Sequence, residues 1–385
     1  MKIRTLRKAS ISKGTRVIVR ADLDVAAHDS RIFDDFRILQ NLPTIRLLAR
    51  RGARVRIVAH CGRPHGTVVR RLTLKPFAAY LQKALKSRVL LVSDPFTAVA
   101  FEKYNSSDDI LLFENIRFWP GEEKKSASFA KSLAKWGDIY VNEAFANSHR
   151  AHASMVALPR LLPSYAGLYL EKELSEFEPL VRRIRPGTGV VLGGGKLETK
   201  LPLIERFLSE GAEVCVAGAL ANSIFFAHGT TVGISPVEKD LIPRLRKIHI
   251  QNPHLHLPCD IRVARSISAK PRLTVPGTVR RNECIFDVGP ATVANFAVVL
   301  RHMKTIFWNG WLGLAEIHQF SQGTKTFARL MPKLRAAKIV GGGDTIATLK
   351  KWRLLKGYTH VSTGGGAILE LLAGKKLPGT EALKK

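Results

Sequence analysis

Two carboxylates stand directly after the first apolar run of the sequence. Residues 17–25 read VIVRADLDV, which places Asp22 and Asp24 just beyond Arg20. Side chains two positions apart on an extended strand point to the same side, so we expect both carboxylates to face one ligand. Paired carboxylates are typical of glycosidases and of metal sites. Both interpretations stay open from these residues alone.

Positively charged side chains follow other predicted strands of the first half. They are Arg37 at the start of a helix, His60 and Arg63 in AHCGRP, Arg117 in FENIRF, and Arg150 in VNEAFANSHRAHAS. Each one alone is better interpreted as a surface salt-bridge partner. Together they lie at turns along one sheet edge, and guanidinium groups bind phosphate and carboxylate through two parallel hydrogen bonds. The pattern predicts a basic bowl for a small, multiply anionic substrate.

The second half repeats one local pattern, in which a strand ends in glycine or small residues and a helix begins directly after it. The four segments are VVLGGGKLETKLPLI, VCVAGALANSIFF, KIVGGGDTIATLKK and HVSTGGGAILELL. Glycine permits close approach of the backbone to a ligand, and a helix N-terminus offers free N–H groups. Tight strand–helix packing can also require glycine, but four such turns favour a phosphate-rich ligand. Neither a P-loop nor a GxGxxG fingerprint is present at these turns.

The elements that must hold these residues alternate between strand and helix. Strands are predicted at 17–21, 54–60, 88–92, 110–113 and 138–141, and again at 189–193, 213–217, 285–287, 305–308, 337–340 and 359–362; helices are predicted at 37–51, 74–86 and 167–183. This alternation indicates parallel sheets with helices on both faces. The predicted fold class is α/β, with two Rossmann-like three-layer domains joined by a helix across a cleft that closes at a hinge.

The predicted domain bounds follow from that alternation. The first domain, for the small anion, spans 1–166, and the second domain, for a nucleotide, spans 188–365. The connecting helix and its hinge occupy 167–187, because this stretch has a helical period and ends near Pro186 and Gly187.

The charge of the chain has two interpretations. The sequence carries 61 Lys and Arg against 31 Asp and Glu, a formal net charge of +30. A nucleic-acid partner is one explanation, but the densest basic zone, 244–281, lacks interleaved aromatic residues on which bases could stack. A solvated basic surface that attracts anionic small molecules is preferred, so we do not expect a nucleic-acid partner.

The sequence shows no pattern typical of a secreted or membrane-spanning protein. The N-terminal residues MKIRTLRKASISKGTR contain no apolar stretch typical of a signal peptide. No apolar run is long enough to span a bilayer. The four cysteines are far apart and form no CxxC pair, which favours a reducing compartment. We expect a cytoplasmic monomer.

The chain resembles the phosphoglycerate kinase family nearly from end to end. The similarity is carried by VRADLDV, DDFRI, AHCGRP, LLFENIRFWPGEE, YVNEAFANSHRAHAS and GLYLEKEL, and then by VLGGGKLETK, AGALANS, DVGPAT, FWNGWLG, GGGDT and HVSTGGGAILELLAGKKLPG. The resemblance implies reversible phosphoryl transfer between 1,3-bisphosphoglycerate with ADP and 3-phosphoglycerate with ATP, with Mg²⁺ as cofactor and closure of the two domains. It also implies that residues 366–385 return to the first domain.

The resemblance further implies roles for individual residues. The substrate 3-phosphoglycerate would be bound by Arg20, Asp22, Asp24, Arg37, His60, Arg63, Arg117 and Arg150. The nucleotide would be bound by Gly194, Lys196, Lys200, Asn309, Glu316, Gly342, Gly343, Asp344 and Thr345. Among these, Glu316 would bond the ribose, Asp344 would hold Mg²⁺, and the two lysines, four apart on one helix face, would serve the phosphates. The residues that would contact the phosphoryl group during its transfer are Arg37, Lys196, Gly343 and Gly365.

Three segments depart from the family pattern. One is Ala26-Ala27, which stands where the family usually has Pro and is expected to loosen that turn. Asp24 stands where the family usually has Asn, and Trp311-Leu312 stands where it has Pro-Met. An ionised Asp only accepts hydrogen bonds and would repel a substrate carboxylate unless an arginine screens it. The Trp311 side chain is expected to cover the nucleotide loop. A catalytically altered homologue and an additional nucleic-acid-binding role therefore stay open as alternatives to an ordinary active kinase.

Overall fold

The fold is built on two parallel β-sheets, one in each half of the chain. The computed structural model describes residues 3–25, 27–28, 31–32 and 34–384. The chain divides into two units, Met1–Glu176 with Lys375–Lys385, and Phe177–Gly374. The predicted α/β class is confirmed. The predicted domain bounds and hinge stay predictions.

The strands of the first unit form one parallel sheet and a short hairpin. They are β1 (Arg16–Arg20), β2 (Ala27–His28), β3 (Arg31–Ile32), β4 (Arg54–Val58), β5 (Val89–Val92), β6 (Ile110–Phe113), β7 (Ile139–Asn142) and β8 (Ser164–Ala166). Among the described residues the parallel sheet has the order β5-β6-β4-β1-β7-β8, and β2 pairs with β3. Strands of such a sheet are covered on both faces, which is why the predicted strands read as continuous apolar runs.

Helices connect the parallel strands, as parallel pairing requires. In the first unit they are α1 (Phe36–Arg50), α2 (Lys75–Leu85), α3 (Ala98–Tyr104), α4 (Pro120–Glu123) and α5 (Ala127–Ala134). The buried residues Ile38, Leu42 and Ile45 of α1 recur every three or four positions and so form one apolar face. The start of α5 is capped by Ser126, whose hydroxyl accepts a hydrogen bond from the Phe129 N–H at 3.3 Å.

The helix predicted at 167–183 is present as α6 (Leu168–Arg182). Its first turn is capped by the buried carboxylate of Glu143, which accepts hydrogen bonds from the N–H groups of Tyr169 at 3.1 Å and Leu170 at 2.9 Å. A Cβ atom on Gly167 would lie 2.4 Å from that carboxylate, so glycine is required there. The boundary between the two units falls within α6.

The second unit contains the other parallel sheet. Its strands are β9 (Thr188–Leu192), β10 (Glu213–Val216), β11 (Leu255–His256), β12 (Ile261–Ala264), β13 (Arg272–Thr274), β14 (Cys284–Val288), β15 (Thr305–Asn309), β16 (Ala337–Gly341) and β17 (His360–Ser362). In the described chain the parallel sheet has the order β11-β10-β9-β15-β16-β17. Its helices are α7 (Leu197–Ser209), α8 (Gly218–Ala227), α9 (Ile242–Leu245), α10 (Pro290–Leu300), α11 (Gln322–Leu330), α12 (Gly343–Lys351) and α13 (Gly366–Leu372).

The prediction that 285–287 continues the parallel alternation is wrong. The strand exists as β14, but it pairs antiparallel with β12 in a small sheet of order β13-β12-β14. A three-residue apolar run carries no information about which sheet receives it. The neighbouring strand β13 is rich in polar residues and partly exposed. A strand was therefore not predicted there from the sequence.

The last residues of the chain belong to the first unit. Helix α14 (Pro378–Glu381) follows α13, and the N–H of Gly379 donates a hydrogen bond to the Ser148 carbonyl at 2.8 Å. The side chains of Leu377 and Leu383 are buried.

Among the described residues, every helix is too short or too polar to cross a membrane.

Candidate functional site

The first cluster of site residues begins with Arg20, the last residue of β1. Its side chain is fully buried. The guanidinium donates hydrogen bonds to the Ser154 hydroxyl at 2.9 Å, to the Ala21 carbonyl at 2.7 Å and to Nδ1 of His60 at 3.1 Å. Arginine only donates, so Nδ1 of His60 must accept, and the neutral imidazole then carries its proton on Nε2.

The two aspartates lie beyond the strand and face different partners. Strand β1 ends at Arg20, so the prediction that both aspartates lie on this strand is wrong, and the expectation that both carboxylates face one ligand stays a prediction. The buried Asp22 carboxylate lies 3.4 Å from Nη1 of Arg37, the second residue of α1. Burial raises the pKa of Asp22, although the Arg37 charge opposes that shift.

Asp24 is tied to the turn that follows β4. One of its oxygens accepts a hydrogen bond from the Gly62 N–H at 2.8 Å, and the other lies 3.5 Å from Nε2 of His60. Burial alone would raise the pKa of Asp24, but His60, Gly62 and Arg37 hold it well below its usual range. Burial lowers the pKa of His60 to about 3. Near neutral pH the pair is therefore an ionised Asp24 and a neutral His60.

Arg117 supplies a buried cation next to this pair. Its guanidinium donates to the Gly62 carbonyl at 2.8 Å; Nε and Nη2 are buried and have no hydrogen-bond partner within the described residues, although Oε1 of Glu123 lies 3.6 Å from Nε. Burial and the nearby charges of Arg20 and Arg150 lower the pKa of Arg117 to about 10. Buried polar atoms without partners are costly, and these N–H groups fit an anion.

The remaining predicted cations of this cluster are less enclosed. Arg150 is partly buried and close enough to Arg117 for their charges to repel. Arg63 is exposed on the turn after β4. The structure thus brings Arg20, Asp22, Asp24, Arg37, His60, Arg117 and Arg150 into one cluster, with Arg63 outside its buried part.

Sequence reasoning missed two buried residues behind this cluster, Glu122 and Ser154. The Glu122 carboxylate is fully buried and accepts hydrogen bonds from the Ser154 hydroxyl at 2.6 Å and the Ser154 N–H at 2.8 Å. The available signal was weak. Glu122 is the third residue of α4, which begins at Pro120, and an acid in the first turn of a helix normally interacts with the helix N-terminus at the surface.

The second cluster lies at the glycine-rich turns of the second unit. Lys196 was expected on one helix face with Lys200, and that prediction is wrong. Helix α7 begins at Leu197, and Lys196 precedes it with left-handed backbone angles, φ 59° and ψ 56°. The spacing of four residues therefore does not place the two ammonium groups one helical turn apart. Lys196 is exposed.

The buried side chain of Lys200 stabilises the glycine loop through hydrogen bonds to its backbone. Its buried ammonium donates hydrogen bonds to the carbonyls of Gly193 and, at 3.1 Å, Gly195. Burial lowers the pKa of Lys200 to about 8; the Lys196 charge lowers it further, and the Asp344 charge opposes the shift.

The glycines of this loop serve two purposes. A Cβ atom on Gly193 would lie 1.9 Å from the Trp311 carbonyl oxygen, so Gly193 is required by packing. A Cβ atom on Gly195 or Gly343 would meet nothing within 4 Å. Those two positions border open space, as expected where a ligand approaches the backbone.

The other predicted nucleotide residues surround the ends of β15, β16 and β17. Asn309 is the last residue of β15, and the buried Thr345 hydroxyl accepts a hydrogen bond from the Gly310 N–H at 3.0 Å. Gly365 precedes α13 with φ 49°. Glu316 is exposed, and Gly342 is partly buried before α12.

Trp311 supports the glycine loop through its backbone. Its carbonyl accepts a hydrogen bond from the Gly194 N–H at 2.7 Å. The side chain is partly buried, and its indole nitrogen has no hydrogen-bond partner in the described part of the chain. A role of the ring as a cover for the nucleotide stays a prediction.

The metal predicted at Asp344 can be tested against the donor groups present. Over residues 3–25, 27–28, 31–32 and 34–384, no three His, Cys, Asp or Glu side chains are arranged to hold a metal ion. Asp344 is an exposed carboxylate in the first turn of α12. Magnesium is commonly held by one or two carboxylates together with substrate phosphates, so this donor set fits Mg²⁺ bound with a nucleotide.

Comparison with known proteins shows the family of this chain. The model of the phosphoglycerate kinase family matches residues 7–375. The phosphoglycerate kinase of Pelotomaculum thermopropionicum is 38% identical over 388 residues, covering 99% of this chain and 98% of that protein. The solved structure of the Coxiella burnetii enzyme is 35% identical with a TM-score of 0.87, covering 99% of each chain. The Pyrococcus horikoshii enzyme is 29% identical with the same TM-score of 0.87, covering 99% of this chain and 98% of that one. The chain belongs to the phosphoglycerate kinase family.

Proposed function

We propose that this kinase binds 3-phosphoglycerate or 1,3-bisphosphoglycerate at the cationic cluster of its first unit and ADP or ATP at the glycine loops of its second unit. The first cluster comprises Arg20, Asp22, Asp24, Arg37, His60, Arg63, Arg117 and Arg150. The second comprises Gly194, Lys196, Lys200, Asn309, Glu316, Gly342, Gly343, Asp344 and Thr345. The reaction is reversible phosphoryl transfer to a carboxylate of the triose substrate.

The buried guanidinium of Arg117 is the observation that carries the triose assignment. Two of its nitrogen atoms are buried without a hydrogen-bond partner among the described residues. A buried cation is costly unless a counter-charge and acceptors meet it. Glu123 supplies a counter-charge 3.6 Å from Nε, and the phosphate and carboxylate of a phosphoglycerate would supply the hydrogen-bond acceptors, in the planar geometry that guanidinium prefers.

The residues act by position and charge. The attacking oxygen belongs to the substrate, so no nucleophilic side chain is needed. Negative charge spreads over the oxygens of the phosphoryl group in the transition state. Arg37 at the start of α1 and Lys196 before α7 neutralise that charge, and the N–H groups at the starts of α12 and α13, near Gly343 and Gly365, orient the phosphates.

Asp344 would hold the magnesium ion together with the nucleotide phosphates. When bound, the ion supplies positive charge that neutralises those phosphates. The carboxylate of Asp344 orients that charge at the start of α12.

A nucleic-acid partner is the less favoured second function. In the basic zone 244–281, Arg244 pairs with Glu205 and Arg272 pairs with Glu283 at 2.6 Å. Part of the positive charge is therefore already neutralised within the fold, which supports a solvated surface. We expect the enzyme to act in the cytoplasm as a monomer.

Substrate-induced closure of the two domains is part of the proposal, because Arg37 and Lys196 belong to different units. Small-angle scattering with both substrates should give a smaller radius of gyration than the free enzyme. An unchanged radius would contradict closure.

Calorimetric titration tests the two binding assignments separately. Arg117→Met should lose affinity for 3-phosphoglycerate and retain affinity for ADP, whereas Lys196→Ala should do the reverse. Arg88→Met is a matched control, because Arg88 is an exposed arginine of the same unit that pairs with Asp109 at 3.7 Å. Equal loss of both ligands in Arg117→Met, or no loss, would contradict the triose assignment.

A further inference from the structure

A chain of hydrogen-bonded side chains runs from Glu122 to His60 inside the first unit, and Asp24 lies just beyond its end. The Ser154 hydroxyl lies 2.6 Å from Oε1 of Glu122 and 2.9 Å from Nε of Arg20. Arg20 in turn contacts Nδ1 of His60 at 3.1 Å, and Nε2 of His60 lies 3.5 Å from Asp24. The side chains of Glu122, Ser154, Arg20 and His60 are each fully buried.

The chemistry of the donors fixes the direction of this chain. Arg20 only donates, so the Ser154 oxygen accepts from it and must use its own proton toward Glu122. Arg20 also donates to Nδ1 of His60, which leaves the imidazole proton on Nε2, toward Asp24. If the Ser154 hydroxyl were absent, Nε of Arg20 would lose its partner, and only the Ala21 carbonyl and Nδ1 of His60 would hold the guanidinium that sets the His60 tautomer.

Glu122 is the acidic residue at the far end of this arrangement. Burial raises the pKa of Glu122, whereas the charges of Arg20 and Arg117 and the hydrogen bonds from Ser154 oppose that shift, and Nδ1 of His152 lies 3.8 Å away. Solvent does not reach Glu122 or Arg20, so the charge of one must be compensated by the other. Ser154 lies in a π-helical turn, Ala153–Ala157, a geometry that is frequent at functional sites.

We propose that Glu122 and Ser154 are positioning residues of the triose-binding site, which act through Arg20 to hold His60 in the Nε2–H tautomer facing Asp24. The proposal rests on the assignment of Arg20 and His60 to that site. Neither Glu122 nor Ser154 touches substrate in this account. Their effect is to orient the groups that do.

Kinetics can separate positioning from a purely structural role. Ser154→Ala should raise KM for 3-phosphoglycerate about tenfold, since a hydrogen bond to a charged group is lost, and should leave KM for ATP nearly unchanged. Glu122→Gln should have the same selectivity, and Ser154→Thr should restore the wild-type KM because it restores the hydroxyl. Ser164→Ala is the matched control, since Ser164 is a buried serine of the same unit whose hydroxyl donates to the carbonyls of Pro159 and Leu162.

The tautomer of His60 provides a readout that does not depend on activity. Nitrogen NMR of labelled histidine should show Nε2–H in the wild type and in Ser164→Ala, and a mixture of tautomers in Ser154→Ala. A wild-type tautomer in Ser154→Ala, or equal changes of KM for both substrates, would overturn the proposal. If the wild type bound no triose at all while the tautomer still depended on Ser154, the triose assignment would fail and the positioning of His60 would stand.

Discussion

The protonation of Lys200 should make nucleotide binding depend on pH in a narrow range. Its buried ammonium binds two carbonyls of the glycine loop, Gly193 and Gly195. A charged lysine has three donors, so one remains for a nucleotide phosphate. Deprotonation removes the positive charge and one of the donors, so the affinity for ADP should fall as the pH rises.

The size of the effect follows from the lowered pKa. With the pKa of Lys200 at about 8, mainly through burial, the charged fraction falls from about 0.9 at pH 7 to about 0.1 at pH 9, a loss of about tenfold in affinity. The effect on folding has the opposite sign. The folded pKa lies below the unfolded value of about 10.4, so the contribution of Lys200 to the free energy of unfolding rises between these two values as pH increases. Weaker binding at about pH 9 would thus not reflect unfolding caused by this group.

Calorimetric titration of ADP near pH 7 and pH 9 measures the effect directly. Lys200→Arg keeps its charge over this range and should bind ADP equally at both values. Lys200→Met should bind weakly at both values. Wild-type affinity that does not change with pH, or a fall of the same size in Lys200→Arg, would refute the reasoning.

Three further substitutions test separate parts of the structure. Gly193→Ala should reduce ADP affinity by at least about tenfold through overpacking against the Trp311 carbonyl, with 3-phosphoglycerate binding unchanged; calorimetry that finds normal ADP binding would contradict the close contact. Asp24→Asn should tighten 3-phosphoglycerate binding by about two- to fivefold, because it removes one negative charge from an anion site; an unchanged or weaker Kd would mean that a neighbouring arginine already neutralises Asp24. Burial raises the pKa of Glu143 to about 7, against the opposing effects of Thr44, Leu170 and Tyr169. This value exceeds the unfolded value of about 4.3, so the stability contribution is present at low pH and is lost as pH rises through about 7. In thermal melts from about pH 5 to pH 8, the wild type should therefore lose stability relative to Glu143→Gln, and parallel curves would contradict the assignment.

Local patterns were sufficient to predict the elements that carry the site. Parallel strands buried on both faces produce continuous apolar runs, and the predicted ends of β1 and β4 lie within two residues of the observed ones. The four glycine turns followed by helices are present before α7, α8, α12 and α13. Periodicity and turn composition are local properties, so one sequence reveals them.

Side-chain geometry could not be predicted in the same way. Lys196 adopts left-handed angles that a non-glycine residue seldom adopts, so helical spacing misplaced it. Asp22 and Asp24 lie beyond the last paired residue of β1, where long-range partners on α1 and after β4 decide their directions. Glu122 and Ser154 are 32 residues apart, and only the tertiary fold brings them together.

The central claim is that this chain transfers a phosphoryl group between a triose acyl phosphate and ADP, with Lys196 meeting that group. The most direct test is the rate of ATP formation from 1,3-bisphosphoglycerate, ADP and Mg²⁺, measured for the wild type and for Lys196→Ala. We expect the wild type to form ATP only when all three are present and Lys196→Ala to lose most of this rate. No ATP formation by the wild type would contradict the function, and full activity in Lys196→Ala would contradict the assignment of Lys196.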